Sequence, residues 1–199
     1  MISNKFLHQK FSGHPLKARL KLIYWNLFRR PHADRLGADT YLMPKFQCSE
    51  PECMTIGQRV LIGRDAHFEM LTRYLDQSFD PKIEIGDDVY IGSNCEIVCI
   101  YRVVIGSGSV LSDNIYINES SHGLLPNNDL IMDRPLNTKG PIKIGSGCFI
   151  GRNVMIFSGV SIADHCVIGA GAVVTRSIPS YTMAAGNPAR IISRFEPVM

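Results

Sequence analysis

Apolar positions in the second half of the chain recur at an unusual interval. Ile144, Ile150, Ile156, Ile162, Ile168 and Val174 follow one another at every sixth residue. Four positions after each comes another small or aliphatic residue: Cys148, Val154, Val160, Cys166, Ala172 and Ile178. An amphipathic helix repeats its apolar face about every 3.6 residues, and a half-buried strand about every 2. A fixed short period instead marks a repeat architecture, in which each unit buries its apolar residue by stacking on copies of itself. This hexapeptide period predicts a parallel β-helix. Three short faces close a triangular coil, the residue opening each hexad points inward, and the small residue later in the hexad sits near a corner.

The same period organises earlier parts of the chain. Regular hexads start at Ile56, Ile62 and Phe68, break from Glu69 to Ile83, and resume at Ile85, Ile91 and Ile97. A two-residue slip at Tyr101 and Arg102 precedes Ile105, Leu111 and Ile117. After His122 the pattern stops until Ile144. The break at 69–83 carries Arg73, Tyr74 and Asp76 and is expected to be a projecting loop or a distorted coil, its polar residues facing solvent or, as the alternative, an acceptor. The segment 123–141, GLLPNNDLIMDRPLNTKGP, is rich in turn formers and too polar for a buried coil. It is expected to leave the prism as a long loop, the kind of segment that often carries function. At the far end, Ile191, Ile192 and Phe195 are expected to fold back over the open coil, because a solenoid end needs a cap.

Residues 1–50 read as a basic helical and connecting segment, and 51–199 as the β-helix domain with its loop and C-terminal cap. Residues 1–35 hold eight Lys or Arg and one acidic residue, Asp34. Pro15 and Pro31 bracket an apolar stripe of Leu16, Leu20, Ile23, Leu27 and Phe28. Such a basic amphipathic helix suits an anionic membrane surface, and packing on the prism or on a neighbouring subunit is the favoured alternative. The apolar run Leu20 to Phe28 is far too short to span a bilayer.

Composition narrows the class without changing the fold. At 199 residues, with 45% hydrophobic and 20% charged side chains and a net charge of +3, the chain fits one globular domain. No nucleic-acid-binding pattern is present. The six cysteines do not form a paired-ligand motif; Cys95, Cys148 and Cys166 occupy small-residue positions and read as core thiols. With no secretory leader pattern, a cytoplasmic location is expected, extending to the inner face of the membrane if the basic helix binds there.

The hexads, with the closing Ala185-Gly186-Asn187-Pro188-Ala189-Arg190, resemble the left-handed β-helix acyltransferases of the hexapeptide-repeat family, and within it the sugar and polysaccharide O-acetyltransferases. The resemblance spans about residues 56 to 192, and the left hand of the coil is implied by it alone. It further implies direct transfer of acetyl from acetyl-CoA to a hydroxyl of a sugar or glycan, such as a surface polysaccharide or its precursor. No metal is implied. Relatives are homotrimers with sites shared between subunits.

Onto that pattern His122 maps as general base, in Asn118-Glu119-Ser120-Ser121-His122-Gly123. Imidazole titrates near neutrality and so can take and return a proton. The polysaccharide branch often carries an Asp and a first His where this chain has Glu119 and Ser120. Glu119 is therefore expected to orient His122 or to place the acceptor, and the bland alternative for His122 is a loop-anchoring hydrogen bond. For CoA, the resemblance implies backbone near Gly151, Arg152, Gly169 and Ala170, an apolar wall from Phe149, and Thr175, Arg176 and Arg190 toward the nucleotide end.

Other readings remain at this point. Transfer to an amine of an amino sugar or a xenobiotic is one. The nucleotide-sugar branch, however, commonly carries an extra nucleotide-binding domain, and the xenobiotic branch differs around its histidine. Serine acetyltransferases usually have a larger helical N-terminal region. A γ-carbonic anhydrase type of site needs three converging histidines, and His67, His122 and His165 do not have that spacing. A non-catalytic β-helix serving binding or assembly is the reading from a different class.

Overall fold

The computed structural model describes residues 36–123 and 130–196. The basic helix expected before Arg35 lies outside the described residues. What is described is a prism of short parallel strands in three faces. The first face has five strands, the second eight and the third six. Successive hexads visit the faces in rotation, so every strand pairs with the one a full coil away.

The hexad register becomes three internal ladders. On the first face Ile56, Ile85, Ile105, Ile144 and Ile162 lie in line. On the second, Leu42, Ile62, Ile91, Leu111, Ile150, Ile168 and Ala184 do. Cys48, Phe68, Ile97, Ile117, Ile156 and Val174 form the third. All but the half-buried Cys48 are buried. Each fully buried aliphatic side chain contributes about 1.5–3 kcal/mol, and here it contributes by touching its own counterpart in the next coil.

Coiling starts earlier than the hexad count indicated. Leu36 bridges to Ile56, and Tyr41–Leu42 and Gln47–Cys48 already pair with strands of the second coil. The span read as connector, where irregular first-coil strands are an expected possibility, thus supplies the first coil, with Leu36, Leu42 and Cys48 six residues apart as its inward residues. At the other end, Arg190–Arg194 pairs antiparallel with Thr182–Ala185. This segment extends the edge of the second face, and Ile191, Ile192 and Phe195 stay exposed. It therefore caps the coil by covering a strand edge through backbone pairing, while its apolar side chains stay outside the prism.

The thiols behave as core residues. Burial pushes Cys95 and Cys148 up to about 11, and Cys99 and the half-buried Cys48 up to about 12. No helix among the described residues is long and apolar enough to cross a membrane.

Candidate active site

The departures from the hexad rule collect on one edge of the prism. Three segments join the third face to the first at successive levels. They are the segment between His67–Met70 and Lys82–Ile85, the two-residue slip between Glu96–Cys99 and Arg102–Ile105, and the loop between Tyr116–Asn118 and Ile142–Ile144. Stacking puts these stretches, separated by dozens of residues, above one another.

The uppermost of the three turns begins at Glu119, which is fully buried. Its Oε2 accepts hydrogen bonds from the backbone N–H groups of Ile100 (2.9 Å) and Tyr101 (2.7 Å), in the coil below. The other oxygen accepts from the Thr138 hydroxyl, on the returning leg of the loop. Thr138 Oγ1 lies 3.0 Å from Ser158 Oγ, which also accepts from the N–H of Lys139 at 2.6 Å. Glu119 therefore ties three levels of the edge together. Burial raises its pKa against the opposing pull of these hydrogen bonds.

His122 follows in a short antiparallel ladder, Ser121–His122 against Leu136–Asn137, with His122 opposite Leu136. Backbone groups anchor the loop here: the N–H of Gly123 donates to Pro135 O at 3.0 Å. The imidazole meets the Tyr74 ring edge-on, with centroids 5.4 Å apart. Its Nδ1 is buried without a hydrogen-bond partner. A neutral imidazole has one nitrogen to donate and one to accept, so a loop-anchoring bond through Nδ1 is not its role. Glu119 does not orient the ring through Nδ1 either, since its own bonds run to Ile100, Tyr101 and Thr138. Ser120, at the position of the branch's first histidine, is held by Asn118 Oδ1 at its N–H, 2.9 Å away.

Tyr74 comes from the lower interruption. Rather than a loop in solvent, that segment is a hairpin of Arg73–Tyr74 and Gln77–Ser78. It packs against the long loop: the Tyr74 hydroxyl donates to Met132 O, and Gln77 bonds Leu136. Tyr74 and Gln77 are the residues that sequence reasoning undervalued. The available signal was that the two long interruptions are six hexads apart, a multiple of the three that make one coil, and so share an edge.

The residues matched to CoA fall into two places. Gly151, Arg152, Gly169 and Ala170 stack on the edge between the second and third faces. Gly171 N bonds Arg152 O at 2.8 Å, and a Cβ on Gly151 would sit 2.6 Å from Ala170 N. Stacking of one coil on the next thus already requires a small residue at 151. Phe149 stands on the adjoining second face, 46% exposed. Arg190 opens the antiparallel strand on that same face, opposite Ala185. Arg152 is paired with Asp113 at 2.6 Å. Thr175 and Arg176 are exposed on the other edge, above His122 and Ser158. One chain therefore does not bring His122 beside the Gly151–Ala170 group.

The outward column of the second face is apolar over its whole length: Tyr41, Leu61, Tyr90, Val110, Phe149, Val167 and Met183. The corresponding column of the first face, Thr55, Glu84, Val104, Lys143 and Ser161, is mostly polar. Among the described residues no group of three or more His, Cys, Asp or Glu is placed to hold a metal ion.

This repeat geometry has known relatives. The pattern described as "Hexapeptide repeat of succinyl-transferase" matches residues 82–119 and 141–176. A putative acetyltransferase of Schizosaccharomyces pombe is 31% identical over 172 residues, 78% of this chain and 79% of that protein. The chain belongs to the hexapeptide-repeat acetyltransferase family. The galactoside O-acetyltransferase of Escherichia coli is 36% identical over 138 residues, covering 69% of this chain and 62% of that protein. This chain thus spans somewhat under two thirds of that relative's length. Among solved structures, the N-acyltransferase AntD of Bacillus cereus, in complex with dTDP-4-amino-4,6-dideoxyglucose and coenzyme A, superposes with a TM-score of 0.67 at 17% identity. That likeness covers 81% of this chain and 83% of AntD and concerns the fold.

Proposed function

We propose that the protein is an acetyl-CoA-dependent O-acetyltransferase acting on a hydroxyl of a sugar or glycan, such as a surface polysaccharide or its precursor. The observation that carries this reading is His122 itself. It lies where both long interruptions converge, with a buried ring nitrogen uncommitted to the fold. Buried polar groups are normally satisfied, so an orphaned nitrogen calls for an explanation such as catalysis. The choice of a hydroxyl rests on the galactoside O-acetyltransferase relative.

His122 takes the proton of the acceptor hydroxyl as its oxygen attacks the thioester carbonyl. The tetrahedral adduct then breaks its C–S bond, and the proton returns through the imidazole to the leaving CoA sulfur. No acyl-enzyme is formed, and no metal takes part. The pantetheine arm lies along the smooth edge of Gly151, Gly169 and Ala170, against Phe149, with Arg190 toward the phosphates and with Thr175 and Arg176, which stand on the His122 edge, reaching them from a second copy. Because His122 stands on a different edge of the same chain, a complete site comes from two copies. The apolar column of the second face supports such an assembly, a homotrimer with shared sites in which one copy's loop reaches its neighbour.

The test is release of free CoA from acetyl-CoA, with maltose, methyl β-galactoside and glucosamine as probe acceptors. His122→Ala is expected to lower the hydroxyl-dependent rate by about 10²–10⁴-fold. An unchanged rate in His122→Ala would sink the catalytic assignment, and turnover with the amine of glucosamine alone would move the protein to N-acetylation.

A further inference from the structure

The hairpin at 73–78 lies outside the hexad architecture and outside everything assigned so far. It leaves the prism in the second coil, and the strand bearing His122 leaves in the fourth. The corner between them, at Ile100 and Tyr101, is short. The hairpin therefore rises two coil steps, roughly 4.8 Å each, before it meets the loop.

Where it lands is specific. Leu136 is the residue opposite His122 in the two-stranded ladder. In an antiparallel pair, the N–H and C=O of one residue point to the same side. Those of Leu136 point to Gln77: the Leu136 N–H donates to Gln77 Oε1 at 2.7 Å, and Gln77 Nε2 donates to Leu136 O at 3.1 Å. One side-chain amide thus acts as a third strand against the ladder. It also makes His122–Leu136 the close, non-hydrogen-bonded kind of pair, with Cα atoms about 4.5 Å apart. Three residues earlier in the hairpin, the Tyr74 hydroxyl donates to Met132 O while its ring lies edge-on to the imidazole. The loop is thereby gripped on both sides of Arg134, by residues whose other neighbour is His122 or its partner.

From this juxtaposition we infer that the hairpin is a clasp, with Tyr74 and Gln77 as positioning residues that set the place and orientation of the His122 ring. The inference rests on His122 being the base, and it adds what aims that base. The ring has no bond at Nδ1 to fix it, so packing on Tyr74 and the pinned ladder supply the constraint that a hydrogen bond supplies elsewhere.

The experiment compares wild type with Gln77→Leu, Tyr74→Leu, Tyr74→Phe and His122→Ala as full chains. The ring ¹⁵N resonances of His122 are recorded without ligand, and kcat and KM for acetyl-CoA are measured with maltose and methyl β-galactoside. Gln77→Leu and Tyr74→Leu are each expected to shift the His122 resonances and to lower kcat roughly 10–100-fold, the scale for an atom misplaced by about 1 Å. KM for acetyl-CoA should stay within about twofold, because the donor edge is elsewhere. Tyr74→Phe, which keeps the ring edge, should lose less than Tyr74→Leu. The unfolding midpoint of the prism is measured alongside.

Unmoved resonances in both Gln77→Leu and Tyr74→Leu would overturn the clasp whichever sugar the enzyme takes. A kcat loss matched by an equal loss of folded protein would overturn it too. Full activity in His122→Ala would instead remove the general base while leaving the resonance comparison to judge the clasp.

Discussion

Two edges of the prism turn with the same geometry at every level, and the third does not. On the edge between the first and second faces, Asp39, Arg59, Asp88, Gly108, Gly147, His165 and Tyr181 all adopt positive φ. Between the second and third faces the column is Lys45, Asp65, Asn94, Asn114, Asn153 and Gly171. Left-handed backbone disfavours L-residues other than Gly, Asn and Asp, yet here it is imposed on arginine and tyrosine because each turn must match the one beneath. The third edge has a hairpin, a two-residue slip and a long loop in its successive turns. Uniform corners let coils stack and leave a smooth edge, without bringing distant side chains together. Non-uniform corners forgo that matching and gain side chains from distant parts of the chain, among them Glu119, His122, Tyr74 and Gln77.

The largest stability effect should come from the irregular edge. Glu119→Ala leaves the Ile100 and Tyr101 N–H groups buried without acceptors, at about 1–3 kcal/mol each. A loss of about 4 kcal/mol in urea unfolding is expected, with Glu119→Gln losing under about 1 kcal/mol, because its carbonyl still accepts from both. The same pair reads the pH dependence. The folded pKa of Glu119 lies above its ordinary value because of burial, so the folded state holds the proton more tightly than the unfolded. Its stabilising contribution is complete below the ordinary glutamate range and fades as pH rises through the raised value. Wild type should lose stability over that interval, and Glu119→Gln should lack the slope. Equal stability of Glu119→Ala and wild type would show that the irregular edge does not depend on this carboxylate.

On a regular edge, Gly151→Ala drives a Cβ to 2.6 Å from Ala170 N. Backbone on both sides must give, and a destabilisation of about 1–3 kcal/mol is expected from thermal unfolding. A neutral result would mean that the coils part easily and that the regular edges are less rigid than their repetition indicates. The smallest effect belongs to the asparagine ladder. Asn114 donates to Asn153 at 3.0 Å and accepts from Asn94 at 3.2 Å. Asn114→Ala loses both exposed bonds and puts alanine at φ 58°, for roughly 1 kcal/mol.

Legibility follows the same division. The three inward ladders were readable because a hexad that fails to place an aliphatic residue inside leaves a hole in the core. The first coil is the less legible one: Leu36, Leu42 and Cys48 keep the spacing of six, but the step from Cys48 to Ile56 does not, and pairing to the coil above gives them their places. The hairpin at 73–78 was unreadable for a local reason. Its two-residue turn is Leu75-Asp76, with Leu75 at φ 51°, where the usual signal is a glycine or an Asn-Gly pair. The C-terminal cap is legible because a solenoid end needs its edge covered, but its course is not: backbone pairing along the second face sets it and leaves Ile191, Ile192 and Phe195 exposed.

Sequence alone determined that this chain coils, how many residues each face takes, which side chains point inward, and that His122 stands where the repeat is interrupted. A period is a local property, repeated often enough to be counted. Only the tertiary structure decided that Glu119 ties coils together. It also brought Tyr74 and Gln77 to His122 and set the small-residue column on a different edge from the base. Those facts depend on the accumulated rotation of the coil and on partners up to 59 residues apart, which no local pattern records.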